Sequence, residues 1–169
     1  MKKIIYCFIV PVLALILCLG GCKKEEAEKA DPFEGEWLIK TKIGSSFIYL
    51  EQQSSGTYTR IGAGSSGTKI KIVKATAGKY FITINNVANK VLDAEQPVLY
   101  TFVVFTPKAV PDKNSQLFTI EPVFNSTTGY YIKSDAKHLG LSNNPAGYST
   151  LLGTDVSNPL RYYIWELEK

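Results

Sequence analysis

Cysteine is absent after position 22; the three in the chain are Cys7, Cys18 and Cys22. A disulfide framework, a thiolate metal site and a thiol nucleophile are therefore excluded from everything beyond it. Histidine is nearly absent. His138 is the single copy, so no multi-histidine metal site can form, and no Ser-His-Asp order is legible around it. It reads as a strand-end residue with a partly solvated ring. Sustained 3.6-residue periodicity is missing beyond Pro32, which excludes a helical bundle. Strong charge is missing too. From Phe33 onward there are 14 basic and 11 acidic residues, too few and too scattered for a nucleic-acid footprint. A phosphate loop is also lacking. Gly62-Ala63-Gly64-Ser65-Ser66-Gly67 satisfies G-x-G-x-x-G, but residues 68–74 alternate as a strand where a helix would have to follow, so it reads as a hairpin tip. The acids Asp93 with Glu95 and Glu166 with Glu168 would share strand faces, and solvation at the surface accounts for them. Together these absences predict a non-enzymatic protein with no catalytic residue, metal or cofactor.

What is present is a chain of 169 residues, 45% hydrophobic and 20% charged, the composition of one globular domain. Its first segment differs from the rest. Met1-Lys2-Lys3 is a charged start, and residues 4–19 form an uncharged apolar run, at about 16 residues too short for a membrane span of roughly 20. Leu19-Gly20-Gly21-Cys22 follows. This order resembles the bacterial lipobox, which implies a signal peptide over residues 1–21 and a diacylglycerol on the Cys22 thiol. Cys7 and Cys18 have no such context and read as apolar fillers. Residues 23–31, Lys-Lys-Glu-Glu-Ala-Glu-Lys-Ala-Asp, lack apolar periodicity and read as part of a solvated tether over residues 22–34. The same run is similar to the Lys-then-acidic signals that send some Gram-negative lipoproteins to the cell surface. The resemblance implies an outer-membrane location with the membrane as partner through a lipid anchor.

Beyond the tether, short runs of Ile, Val, Tyr, Phe and Thr alternate with Gly, Ser, Asn and Pro clusters every 8 to 12 residues, the mark of an all-β domain. The runs repeat. Gly35-Glu36-Trp37, Gly78-Lys79-Tyr80 and Gly129-Tyr130-Tyr131 each place an aromatic two residues after a Gly. Second strands centre on Tyr49, Leu92 and Leu139. Third strands carry Thr59, Thr101 and Thr150, and fourth strands carry Ile70-x-Ile72, Phe118-x-Ile120 and Trp165-x-Leu167. Four strands in three units make twelve. The spacing resembles the β-trefoil, a pseudo-threefold barrel capped by hairpins, and implies one such domain over residues 35–169. Gly35-Glu36-Trp37 is also similar to the opening of lipocalins, which would imply an eight-stranded barrel.

The layout further resembles the ricin-type carbohydrate-binding family, whose pocket uses an Asp after the second-strand Leu and a downstream Gln-x-aromatic. Leu92-Asp93 and Gln116-Leu117-Phe118 match in the middle unit, with Asn114 nearby and Tyr100, Phe102 or Phe105 as stacking rings. Leu50 and Gly140 stand where the Asp would be in the other units. By that resemblance the ligand is a glycan held by Asp93, Asn114, Gln116, Tyr100 and Phe105. Asp93 also suits a turn in which it bonds its own backbone. Trefoils resemble loop-based protease inhibitors as well, and the loop of residues 106–115 suits an extracellular protein partner. A third reading is an accessory lipoprotein with no small ligand. Asn125-Ser126-Thr127 matches a glycosylation sequon, but the lipobox resemblance implies a bacterium, where the motif is usually accidental.

The lipobox reading makes a direct prediction. Replacing Cys22 with Ser should leave an unprocessed precursor on a gel; normal processing and membrane retention of that variant would overturn it.

Overall fold

The computed structural model describes residues 30–55, 58–76, 78–85, 89–95, 103–144, 147–154, 157 and 161–169. Cys7, Cys18 and Cys22 lie outside them, as do Tyr100, Thr101 and Phe102.

The strands are β1 (Gly35–Ile43), β2 (Ser46–Ser55), β3 (Tyr58–Gly64), β4 (Ile70–Thr76), β5 (Lys79–Ile84), β6 (Lys90–Asp93), β7 (Val104–Pro107), β8 (Thr119–Pro122), β9 (Tyr130–Ser134), β10 (Lys137–Asn144), β11 (Gly147–Gly153), β12 (Arg161–Tyr162) and β13 (Glu166–Glu168). These strands pair antiparallel. The pairing closes on itself. β1 pairs β4 and β13, β4 pairs β5, Tyr80 of β5 bridges Phe118 beside β8, β8 pairs β9, and Tyr130 of β9 bridges Trp165 beside β13. That is a six-stranded barrel. The hairpins β2–β3, β6–β7 and β10–β11 cap it. The eight-stranded alternative is thereby set aside. β12 is a strand beyond the expected twelve, a two-residue piece laid on β10 just before Trp165.

Three layers of the core follow the threefold repeat. Ile39, Ile82 and Ile132 from the first strands, Leu50, Leu92 and Leu139 from the second, and Ile70, Phe118 and Trp165 from the fourth are all 0% exposed. No unit could bury these faces alone. The structure also corrects the register read from sequence. Trp37 pairs Ile70, Tyr80 pairs Phe118 and Tyr130 pairs Trp165, so Tyr130, not Tyr131, heads the third unit. Leu50, not Tyr49, is the counterpart of Leu92. Thr150 is the counterpart of Ile61 rather than Thr59: Thr150 pairs Leu141 and Ile61 pairs Gln52, each two residues beyond the core Leu of its second strand. Pairing decides for Tyr130, and burial for Leu50 and Ile61, since a shift of one residue turns a strand side chain to the opposite face.

The barrel end where the chain enters has its own stopper. Phe33 packs edge-on against Tyr80 and Tyr130, with ring centroids 5.8 and 5.4 Å away, in a cluster with Trp37, Ile72, Ile120 and Leu167. The Trp37 indole N–H donates to the Phe33 carbonyl at 2.8 Å. Asp31 accepts from the Tyr80 hydroxyl at 2.9 Å and from the Phe33 N–H at 3.0 Å. Burial, with Asp31 next, pushes the Tyr80 phenol up to about 12. The folded unit therefore starts at Asp31, not at Gly35, and residues 31–34 belong to the domain rather than to the tether.

Trp165 closes the ring and is fully buried, and its indole N–H donates to the Leu139 carbonyl at 2.8 Å. Trp165→Ala should cost about 3 to 5 kcal/mol in urea unfolding, a large share of the roughly 5 to 15 kcal/mol that holds an ordinary domain together. A cost under about 1 kcal/mol would contradict the closure.

Candidate functional site

The middle unit brings two of the sequence-predicted residues together. Leu92 points into the core, and Asp93 after it ends β6 beside Thr106 of β7. Asp93 Oδ1 accepts the Glu95 N–H at 2.9 Å, the turn bond that the sequence offers. Oδ2 accepts the Thr106 hydroxyl at 2.9 Å and the Gln116 amide at 3.3 Å, with the Lys113 ammonium 3.7 Å away. Gln116 is fully engaged. Its Nε2 also donates to Thr106 Oγ1 at 2.8 Å and to the Pro107 carbonyl at 2.9 Å, and its Oε1 accepts the Ala109 N–H at 2.9 Å. Asp93 is 3% exposed and Gln116 2%. The expectation of surface solvation fails for Asp93, because its partners Thr106 and Gln116 cover it. Its carboxylate and the Gln116 amide form a buried lock that pins both ends of the loop between β7 and β8.

Burial works to raise the Asp93 pKa, but the Glu95 N–H, the Thr106 hydroxyl and the Lys113 ammonium outweigh it and hold the carboxyl below its usual value. Lys113 is held above its usual value, first by Glu95, with which it pairs directly, and also by Asp93.

Asn114 opens a one-turn 3-10 helix (Asn114–Gln116) with its side chain exposed. Its carbonyl accepts the Leu117 N–H at 3.0 Å and the Ser134 hydroxyl at 3.2 Å, joining the middle unit to the third. Phe105 is placed differently from the sequence expectation. It pairs with Leu92, is 3% exposed and lies in the main core, so it offers no ring to a ligand. Tyr100 lies outside the described residues.

Two open depressions meet over the lock. One of about 300 Å³ is lined by Ala94, Glu95, Lys113, Asn114, Ser115, Ser134, Asp135 and Lys137. The other, about 520 Å³, reaches Asp93, Thr106, Pro107, Ala109 and Gln116 and shares Glu95 and Lys113 with the first. Glu95, Asp135 and Lys137 are residues that sequence reasoning missed; their convergence depends on how the β9–β10 turn sits beside the 3-10 helix, which spacing does not encode.

The same place in the other units is closed. With Leu50 as the counterpart of Leu92, the residue matching Asp93 in the first unit is Glu51, an acid, not Leu50. Glu51 Oε1 is used internally, accepting the Ser66 N–H at 2.9 Å, the Gly67 N–H at 3.0 Å and the Ser66 hydroxyl at 3.0 Å. Those bonds, the Ser66 and Gly67 N–H first, hold its pKa down and fold the Gly62–Gly67 motif into a capped turn. In the third unit, Gly140 lies under the Tyr163 ring, where a Cβ would come within 2.4 Å of Tyr163 Cδ1. His138, beside it, is half-buried between Tyr131 and Tyr163; burial holds its pKa below the usual histidine value. Among the described residues no three His, Cys, Asp or Glu side chains converge as a metal would require.

No family model and no curated protein matches the chain. Solved structures match it in shape. A mosquitocidal holotoxin aligns over 80% of this chain with a TM-score of 0.64 and 17% identity. The designed threefold-symmetric protein ThreeFoil aligns over 80% with a TM-score of 0.57 and 15% identity, covering 99% of that protein. The cytolethal distending toxin of Actinobacillus actinomycetemcomitans aligns over 77% at 0.57 and 18% identity, covering 90% of that chain. The fold is a β-trefoil. The chain spans 17% of the holotoxin's length, and identities this low carry the fold alone.

A depressed carboxyl adds stability above its unfolded pKa, and that stability is lost as pH falls through the lowered folded value. Wild-type stability should hold down to about pH 5 and decline below about pH 4. Asp93→Ala leaves the Thr106 hydroxyl and the Glu95 N–H without their acceptor and should cost about 1 to 3 kcal/mol at neutral pH. Urea midpoints at pH 7 and pH 3 test both points: the gap between variant and wild type should narrow at pH 3, and an unchanged gap would remove Asp93 from the acid response.

Proposed function

We propose that this chain is a bacterial outer-membrane lipoprotein, anchored through Cys22 and displayed at the cell surface, whose trefoil domain is a non-enzymatic module that binds a glycan at the middle unit. One observation carries the reading. Of three equivalent positions, the first is capped by Glu51, the third is filled by Tyr163, and the middle one opens to solvent among the described residues. Its rim offers carboxylates at Glu95 and Asp135, ammonium groups at Lys113 and Lys137 and the Asn114 amide, the mixture of acceptors and donors that sugar hydroxyls require. In this reading Asp93 and Gln116 do not grip the sugar. They hold the walls that do.

A second reading rests on the loop between β7 and β8. Gln116 fixes that loop at the Pro107 carbonyl and the Ala109 N–H, Lys108 lies 4.1 Å over the Phe81 ring, and Val110 at the tip is 93% exposed. A loop ordered before binding loses less entropy on docking, which favours a protein partner.

A glycan array separates the two. Glu95→Gln and Asn114→Ala should each reduce glycan affinity about tenfold or more, roughly 1.4 kcal/mol, with the unfolding midpoint unchanged. Glycan binding indifferent to both variants would move the site elsewhere. No glycan binding, with capture of an extracellular protein that Val110→Asp abolishes, would hand the function to the loop.

A further inference from the structure

The connections between trefoil units at the entry end of the barrel are unequal. Between β4 and β5 the link is residues 77–78, whereas between β8 and β9 it is residues 123–129. The longer link is a built turn. The Val123 N–H donates to the Gly129 carbonyl at 2.9 Å, the Ser126 N–H to the Val123 carbonyl at 3.0 Å, and the Gly129 N–H to the Ser126 hydroxyl at 2.8 Å. The Ser126 hydroxyl thus accepts a bond inside the turn. A Cβ at Gly129 would lie 2.7 Å from Ser126 Oγ and 2.8 Å from Ile164 Cγ2, so either side chain would have to shift to admit one.

This turn holds an apolar side chain out in water. Phe124 is 90% exposed and Ile164, against the same turn, is 45% exposed. Pro122 and Pro32 are exposed as well. Single exposed apolar residues are ordinary, but a phenyl ring held out by an ordered turn beside others of its kind marks a contact surface. The position of the surface identifies the contact. Pro122 pairs Tyr130, and the Tyr130 ring packs on Phe33, so the patch lies at the end of the barrel where the chain enters at Asp31. Two pairs of nearby charges are matched within the domain, Lys133 with Glu121 and Lys74 with Asp31.

We infer that the Phe124 turn, with Ile164, docks on the lipid bilayer and inserts its ring at the headgroup boundary. The inference rests on the lipid-anchor reading above. Residues 22–30 span at most about 30 Å even when fully extended, so a lipid on Cys22 keeps the entry end of the barrel within that distance of the membrane. At such confinement a weak apolar contact is enough to orient the domain, because the anchor already supplies the local concentration. The opposite face is then free for a ligand.

The absence of cysteine beyond position 22 makes the test clean. The processed, lipidated chain carrying Phe124→Cys takes a nitroxide label at that one thiol, because a lipidated Cys22 has none to offer; Val110→Cys serves as the control. Both are reconstituted in phosphatidylethanolamine and phosphatidylglycerol vesicles, and label collisions with oxygen and with a water-soluble nickel chelate are measured. The label at 124 should gain oxygen collisions and lose nickel collisions severalfold, at a depth of about 5 to 10 Å as for interfacial side chains, while that at 110 stays aqueous. A label at 124 as accessible to nickel as at 110, on a chain whose mass shows the lipid, overturns the docking and leaves the anchor intact. Protection from both reagents means burial against protein and also overturns it. A mature chain whose mass shows no lipid overturns the anchor reading and the docking together.

Discussion

The last strand of this domain has to meet the first. β13 pairs β1 through Leu38 with Glu168, Ile39 with Leu167 and Lys40 with Glu166, and Trp165 bridges Tyr130 just before it. Until that contact forms, the barrel is an open sheet whose two edges are β1 and β9, and Ile39, Ile82 and Ile132 have no common interior to share. Closure removes those edges and lets nine side chains from three units reach zero exposure at once. It also explains why Phe33 is held where it is. A barrel closed around an axis has an open end, and the ring seated between Tyr80 and Tyr130 covers it.

Much of this was legible in the sequence because barrel strands leave two marks that reinforce each other: alternation with a period of two, and recurrence at a fixed distance along the chain. Ile70, Phe118 and Trp165 stand in the sequence as they stand in the fold. The failures are instructive because they are shifts of one or two residues. Tyr130 and Tyr131 are both aromatic, and Tyr49 and Leu50 are both apolar, so neither pattern says which one faces inward; the pairing of Tyr130 with Trp165 and the burial of Leu50 do. Asp31 and Phe33 were illegible for a different reason. They follow a charged run and belong to no repeat, and their partners Tyr80 and Tyr130 lie far along the chain.

The candidate site was half legible. Asp93 and Gln116 stood out as a pair, and the structure brings them together. What the sequence could not reveal is that Asp93 is saturated by the Glu95 N–H, Thr106 and Gln116, and Gln116 by Asp93, Thr106, Pro107 and Ala109. A carboxylate with this many donors is a poor place for a sugar hydroxyl, since any new bond must displace one already made. The polar residues open to solvent are Asn114, which the resemblance named, and Glu95, Lys113, Asp135 and Lys137, which carry no family signature.

The asymmetry of the three units follows from how each fastens its fourth strand to its second. In the first unit the Thr68 hydroxyl accepts the Gln52 N–H at 2.9 Å, a short link that brings the two strands close and leaves the Glu51 carboxylate to cap the adjoining turn. In the third unit the Tyr163 ring packs against Gly140, an apolar fastening that takes the space a side chain would need. In the middle unit the fastening is the Gln116 amide, which is long and forked and reaches from the 3-10 helix to Asp93, Thr106, Pro107 and Ala109 at once. A link that reaches further holds its walls further apart. The depression over the middle unit is thus a direct consequence of using a side-chain amide where the other units use a hydroxyl and a ring, and a symmetric scaffold acquires one open site without any change in its barrel.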